Sequence, residues 1–138
     1  MPLLEKYLVV KRSTIPGAGK GLFTKQFIEK GARIVQYKGK RTAWKAIQQQ
    51  EFNGYVYYIK RDLVIDARNY IKTFGRYAND AKGISRLKKF NNNSRYVVEG
   101  QSVFIEAIKD INAGEEVFVS YGKEYWDAVR YNIKHGFI

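Results

Sequence analysis

Apolar and polar positions alternate in short runs, and period-two alternation is more frequent along the chain than the helical period. Tyr7 to Arg12 predicts a strand that enters the turn Ser13-Thr14-Ile15-Pro16-Gly17-Ala18-Gly19-Lys20-Gly21, after which Leu22-Phe23-Thr24 resumes as strand. Ala32 to Tyr37 alternates and ends in a tyrosine close to Gly39. Thr42 is a candidate N-cap for a short helix to about Glu51, with Trp44 and Ile47 on one face and Asn53-Gly54 as its stop. Tyr55 to Ile59 and Leu63 to Ala67 predict a hairpin whose tyrosines pack the sheet, and Arg95 to Glu99 with Ser102 to Ile108 predict another around Gly100-Gln101. Val117, Phe118 and Val119 are strand formers that put Tyr121 at a strand end, with Gly122 free to bend directly after it. Lys123 to Lys134 carries Trp126, Val129 and Ile133 at helical spacing and meets Gly136 as a stop.

These elements predict a mostly β fold with small helices and long crossing loops, since strands and helices do not alternate regularly. One domain over residues 1–138 is expected, long enough to bury a core without staples. The segment from Gly75 to Ser94 fits neither period. A loop that polar is either disordered or functional, and its Asn91-Asn92-Asn93 run is either turn filler or a set of donors and acceptors for a ligand with amino and carboxylate groups.

Composition narrows the chemistry. The chain has no cysteine and one histidine, His135, which closes off disulfides, thiolate metal sites, histidine zinc clusters and a Ser-His-Asp triad. No apolar run approaches the ~20 residues of a membrane helix, so the protein is expected to be soluble and intracellular, with no membrane partner. A formal charge of +12, with eleven tyrosines and eight phenylalanines, suits contact with nucleic acid or another polyanion, or else a solubilising surface. The basic residues concentrate only between Lys82 and Lys89.

Two glycine-loop chemistries fail on spacing. Gly21 follows Lys20 where a triphosphate loop needs serine or threonine, and Gly-Ala-Gly-Lys-Gly lacks the last spacing of a dinucleotide fingerprint. The loop alone reads as a plain turn, and Tyr121 alone as a packing residue at a strand end.

The order of the pieces resembles the SET domain, the fold of S-adenosyl-L-methionine-dependent protein lysine methyltransferases. Gly17-Ala18-Gly19-Lys20-Gly21-Leu22-Phe23 is similar to the family's N-terminal glycine motif, and Tyr37-Lys38-Gly39 to the Tyr-x-Gly that follows. Ile65-Asp66-Ala67 with Gly75-Arg76-Tyr77-Ala78-Asn79 resembles Ile-Asp-Ala followed by Arg-Phe-Ile-Asn-His-Ser, and Gly114-Glu115-Glu116 through Tyr121-Gly122 resembles Gly-Glu-Glu-Leu and Tyr-Gly. The match runs from about Leu8 to Trp126.

The resemblance implies several short curved sheets and a knot-like crossing of the Arg76 to Ser94 segment with the Tyr121 strand; without the family's cysteine-rich flanking modules, the C-terminal helix over 123–138 is the expected cover. It implies that Ala18, Gly19, Lys20, Arg76, Asn79 and Asp80 line the cofactor site, with Asn93 at a family asparagine position after an inserted basic loop. Asp80 departs from the family, which carries histidine there. Trp126 either covers the adenine or packs on the sheet. Tyr121 is the implied source of the essential hydroxyl, and Tyr37, Tyr96 and Val119 the implied walls of a substrate lysine channel. The implied partner is a protein presenting a lysine, histone or DNA-associated among the candidates. Location is then cytoplasm or nucleoid in a bacterium, nucleus or chromatin in a eukaryote. The competing class is a basic SET-fold module with weak or no catalysis that contacts nucleic acid through Lys82, Arg86, Lys88 and Lys89.

Overall fold

The computed structural model describes residues 3–48, 54–82 and 91–136. Among them the strands are β1 (Leu8–Arg12), β2 (Lys20–Thr24), β3 (Arg33–Gln36), β4 (Lys40–Thr42), β5 (Val56–Lys60), β6 (Leu63–Asp66), β7 (Ser94–Glu99), β8 (Ser102–Ala107) and β9 (Glu116–Val117). The helices are α1 (Trp44–Gln48) and α2 (Lys123–Lys134), with single 3-10 turns at Glu5–Tyr7 and Gly75–Tyr77. The fold is mostly β, as the alternation predicts.

Three small sheets divide the strands in the orders β1-β2-β9, β3-β8-β7 and β4-β6-β5, and all of their pairings are antiparallel. In β8 the sequence Ser-Val-Phe-Ile-Glu-Ala alternates strictly, and Val103, Ile105 and Ala107 are the buried set. They join Leu22, Ile28, Ile34, Val35, Ile111, Val117 and Val119 in the apolar interior. Full burial of such side chains contributes roughly 1.5–3 kcal/mol each before entropy is counted, so this interior sets the rigidity of everything attached to it.

A crossing links the first two sheets. The chain from Glu116 to Val119 is bridged in parallel to Asn79 on one side and to Ser94 on the other. Val119 N–H donates to Asn79 O (2.9 Å), while Asn93 and Ser94 N–H both donate to Phe118 O (3.1 and 3.0 Å). Asn93 fills the remaining valences: its Nδ2 donates to Glu116 O (2.8 Å) and its Oδ1 accepts from Phe118 N–H (2.9 Å). A buried asparagine thus acts as one more backbone unit in the ladder, which keeps a polar segment ordered inside the fold.

Several elements differ from expectation. Thr42 closes β4 and is no N-cap, because Lys40 to Thr42 pairs with Asp66 to Val64 in a ladder that the short Lys-Arg-Thr sequence does not announce. The helix starts at Trp44, whose N–H donates to Arg61 O (3.0 Å), and its predicted end near Glu51 lies outside the described residues. Trp44 is 39% exposed and meets Tyr58 edge-on, whereas Ile47 is buried, so only Ile47 serves the core. In α2 the stripe holds at Val129 but not at Ile133, which is 51% exposed. Gly136 ends the helix as expected, its N–H donating to Ile133 O (3.2 Å).

Candidate active site

A cleft of about 720 Å³ opens beside the crossing, lined by the loop from Ile15 to Lys20, by Arg76, Asn79, Asp80 and Lys82, and by Tyr121, Tyr125 and Trp126. The loop owes its position to one carboxylate. Glu116, only 4% exposed, takes Ser13 Oγ on Oε2 (2.7 Å) and both Thr14 N–H and Thr14 Oγ1 on Oε1 (2.9 and 2.7 Å). Asn79 Nδ2 donates to Lys20 O (3.0 Å) and to Glu116 Oε2 (3.3 Å), so the loop is gripped at both ends. Gly21 is required by the same contact, since a Cβ there would overlap Glu116 Oε2. Charge-assisted hydrogen bonds of this kind are about twice as strong as neutral ones, and here they replace the apolar packing that a glycine loop lacks.

The opposite wall is organised by a second buried carboxylate. Asp80 Oδ2 accepts Tyr121 N–H (2.9 Å) and Trp126 Nε1–H (2.8 Å), while Oδ1 accepts Lys82 N–H (3.0 Å) and Asn92 Nδ2 (3.1 Å). Gly122 follows with φ +88°, a conformation that side chains resist, and this turns the chain from the end of the crossing into α2. Trp126 comes back over Tyr121 as a result, with ring centroids 5.8 Å apart and planes within 15°.

Next to the cleft lies a cavity of about 40 Å³ lined largely by tyrosines: Tyr37, Tyr55, Tyr57, Tyr96, Tyr121 and Tyr125. Tyr96 meets Tyr37 edge-on at 5.8 Å and Tyr57 at 4.9 Å, and it stacks toward Tyr121 at 6.5 Å. Two hydroxyls are anchored to backbone, Tyr37 to Tyr55 O and Tyr121 to Ala78 O, both at 2.6 Å. Burial raises the hydroxyl pKa of Tyr96 and Tyr121 well above the ordinary tyrosine range, and neighbouring tyrosines push the same way. Burial also raises Tyr37, Tyr57 and Tyr125. The hydroxyls of Tyr37, Tyr57, Tyr96, Tyr121 and Tyr125 therefore stay protonated at physiological pH.

Gly54, Tyr55, Arg76, Tyr121 and Tyr125 line both spaces, which makes them the partition. Arg76 holds its place through Nη1, which donates to Ala67 O (3.0 Å) and Arg68 O (2.7 Å), and its guanidinium lies 3.9 Å over the Tyr55 ring. Its Nε is buried without a hydrogen-bond partner among the described residues.

The structure thus gathers Ala18, Gly19, Lys20, Arg76, Asn79, Asp80, Trp126 and Tyr121 around the large cleft, and Tyr37, Tyr96 and Tyr121 around the small one. Val119 lies elsewhere. It is 0% exposed in the apolar core beside Val117, because the chain at that point is bridged to Ser94 and its side chain faces inward. Lys82 lines the cleft, and Arg86, Lys88 and Lys89 lie outside the described residues. Sequence reasoning missed Glu116, Tyr55, Tyr57 and Tyr125. The hairpin register carried no signal for Tyr57: it pairs with Ile65 and the exposed Tyr58 with Val64, and both partners are buried because β6 is the central strand of its sheet. Tyr57 lines a cavity as well as packing the sheet, while Tyr55 lines the cavity from just before β5.

Small sheets around a crossing, with two spaces that share a partition containing Tyr121, define the class of protein that the motif order suggests. The model of the SET domain matches residues 19–122, and the chain belongs to the SET-domain family. It is 28% identical over 133 residues to the histone-lysine N-methyltransferase EZH2 of Chaetomium thermophilum, covering 87% of this chain and 8% of that protein. It is 27% identical over 124 residues to the N-lysine methyltransferase KMT5A of Xenopus tropicalis, covering 82% of this chain and 36% of that one. The chain thus spans little more than a third of these curated relatives at most. Among solved structures, the methyltransferase domain of human PR domain-containing protein 2 shares the fold, with a TM-score of 0.63 at 23% identity over 88% of this chain and 79% of that one.

Proposed function

We propose that this chain is an S-adenosyl-L-methionine-dependent methyltransferase acting on the side-chain amine of a lysine in a protein. One observation carries the reading: a cleft large enough for a nucleoside-sized cofactor and a narrow tyrosine-walled cavity meet at Tyr121. Two reactants entering from opposite sides would meet at the shared partition of Gly54, Tyr55, Arg76, Tyr121 and Tyr125, where the Tyr121 hydroxyl is fixed on Ala78 O. The cleft also suits this cofactor chemically. Trp126 offers an aromatic face to a base, Lys20 and Arg76 offer positive charge to a carboxylate, and the buried Arg76 Nε lacks an acceptor among the described residues, one that a ligand oxygen would supply.

When bound, the cofactor would supply a methyl group on a sulfonium, which would pass to the lysine nitrogen as the carbon–sulfur bond breaks and the sulfur keeps the bonding pair as a neutral thioether. The protein has to present that nitrogen unprotonated, although a free lysine titrates near 10.4. A channel of buried aromatic rings favours the neutral amine by desolvation, and a neighbouring positive charge adds to the effect. Tyr121 donates its proton to Ala78 O, which leaves its oxygen as an acceptor toward the amine or the transferring methyl. The ring walls of Tyr37, Tyr57 and Tyr96 then hold the lysine stem in line with the cleft, and alignment alone can supply several kcal/mol. No tyrosinate is available as a base at neutral pH, so the amine's proton leaves to solvent before transfer.

The net charge of +12 argues about the substrate. A free basic peptide is repelled, so the target lysine sits in an acidic surface or on a DNA-associated protein whose charge is already neutralised. The same charge supports the competing reading, a basic binding module on this fold. Titration calorimetry decides between them: heat of binding with S-adenosylmethionine supports the enzyme. No binding at millimolar cofactor, with DNA affinity that falls steeply with salt, supports the module.

A further inference from the structure

We infer that Asp80 is a positioning residue that latches α2 across the cleft through Trp126; the inference rests on reading that cleft as the cofactor site. Asp80 stands where the family motif carries histidine, yet it is only 6% exposed and both of its oxygens are fully used. A carboxylate this buried is retained at a desolvation cost, which four charge-assisted hydrogen bonds offset. Its partners matter more than their number. One oxygen holds the Tyr121 backbone and the Trp126 indole together, and the other holds Lys82 and Asn92, whose Oδ1 in turn accepts Ala81 N–H (2.7 Å). Asp80 is the common fixed point of the catalytic-side tyrosine, the helix and the two ends of the inserted loop.

The helix needs such a point. Gly122, at its N-cap, provides no side chain for capping, and the positive φ there makes this position a bend. Tyr125 and Trp126 are half-buried and Val129 is buried, while Tyr131 and Ile133 are more than half exposed, so attachment to the body concentrates between Tyr125 and Val129. Within that stretch, the Trp126 indole bond to Asp80 and the stack of Trp126 on Tyr121 set the angle at which the helix crosses the cleft. The wall over the cofactor and the position of Tyr121 are therefore coupled through one carboxylate.

The test uses the full chain with Trp126→Phe, which removes the indole N–H but keeps a ring, Asp80→Ala, and the double variant. Cofactor affinity is measured by calorimetry and amide hydrogen exchange across 123–134 without cofactor. Trp126→Phe is expected to weaken S-adenosylmethionine binding roughly ten-fold and Asp80→Ala by at least as much, with the double variant no weaker than Asp80→Ala alone. Exchange should accelerate within α2 and not across β7 and β8, a pattern that general destabilisation does not produce. Wild-type affinity in Trp126→Phe, or losses that multiply independently with unchanged α2 exchange, overturns the latch. Should Asp80→Ala fail to fold, Trp126→Phe carries the test through affinity and exchange. Should the wild type itself bind no S-adenosylmethionine, the cofactor reading fails, and the latch stands or falls on whether Trp126→Phe accelerates exchange in α2.

Discussion

The large cleft is walled by segments tied together through two buried carboxylates, whereas the small cavity beside it is walled by rings that touch one another. Glu116 and Asp80 between them hold Ser13, Thr14, Asn79, Lys82, Asn92, Tyr121 and Trp126, residues scattered over the whole chain. In the cage, Tyr37, Tyr57, Tyr96 and Tyr121 meet ring to ring, and hydrogen bonds only anchor two hydroxyls. The contrast matches two tasks. A polar wall can accept a charged and hydrogen-bonding ligand, while an aromatic wall strips water from an amine and keeps it aligned. It also implies two modes of failure: the polar wall fails when one acceptor is lost and several donors are orphaned together, the aromatic wall when volume is lost.

Breaking the cage by volume should have the largest effect. Tyr96→Ala is expected to destabilise the fold by about 3–5 kcal/mol, in the range of large aromatic truncations, while Tyr96→Phe costs under about 1.5 kcal/mol. Urea denaturation of the pair separates ring from hydroxyl. Tyr121→Phe comes next, with turnover reduced roughly 100-fold through lost alignment and cofactor affinity nearly unchanged. Single-turnover kinetics and calorimetry on the same variant measure the two halves.

On the polar side, Glu116→Gln is expected to cost about 1–3 kcal/mol of stability, because one face of the amide presents hydrogens to Ser13 Oγ and Asn79 Nδ2. Its cofactor KM should rise more than its turnover falls, since the loop and not the cage has moved. Steady-state kinetics give that split. At physiological pH the smallest effect is a pH slope, because it is felt only in alkali. The caged hydroxyls titrate above their unfolded value, so their contribution is complete below about pH 10. Above that the unfolded chain ionises first, and stability should fall by about 1.4 kcal/mol per pH unit for each such tyrosine. Urea unfolding at rising alkaline pH checks this, and Tyr96→Phe should flatten the slope.

Much of this arrangement was legible before the fold. The strands announce themselves by alternation, and β8 obeys it residue by residue. The glycine loop, Tyr37, Asn79, Asp80 and Tyr121 stand in an order that pointed to one cleft, and they line it or its neighbour. The supports were not legible. Glu116 is one of two adjacent glutamates after a turn glycine, and nothing local separates it from Glu115, which turns outward and accepts Asn112 N–H (2.7 Å). β4 exists because β6 offers it an edge, and no three-residue pattern reveals that. Val119 reads as a channel position by motif spacing, but the crossing buries it, and only pairing with Ser94 decides which way it faces.

The most direct test of the two-sided site is transfer of a labelled methyl group from S-adenosylmethionine to protein in a host-cell extract, read by tandem mass spectrometry. The account predicts label on lysine side chains with the wild type and little or none with Tyr121→Phe. Label on no lysine despite measured cofactor binding, or equal lysine labelling by both proteins, would contradict it.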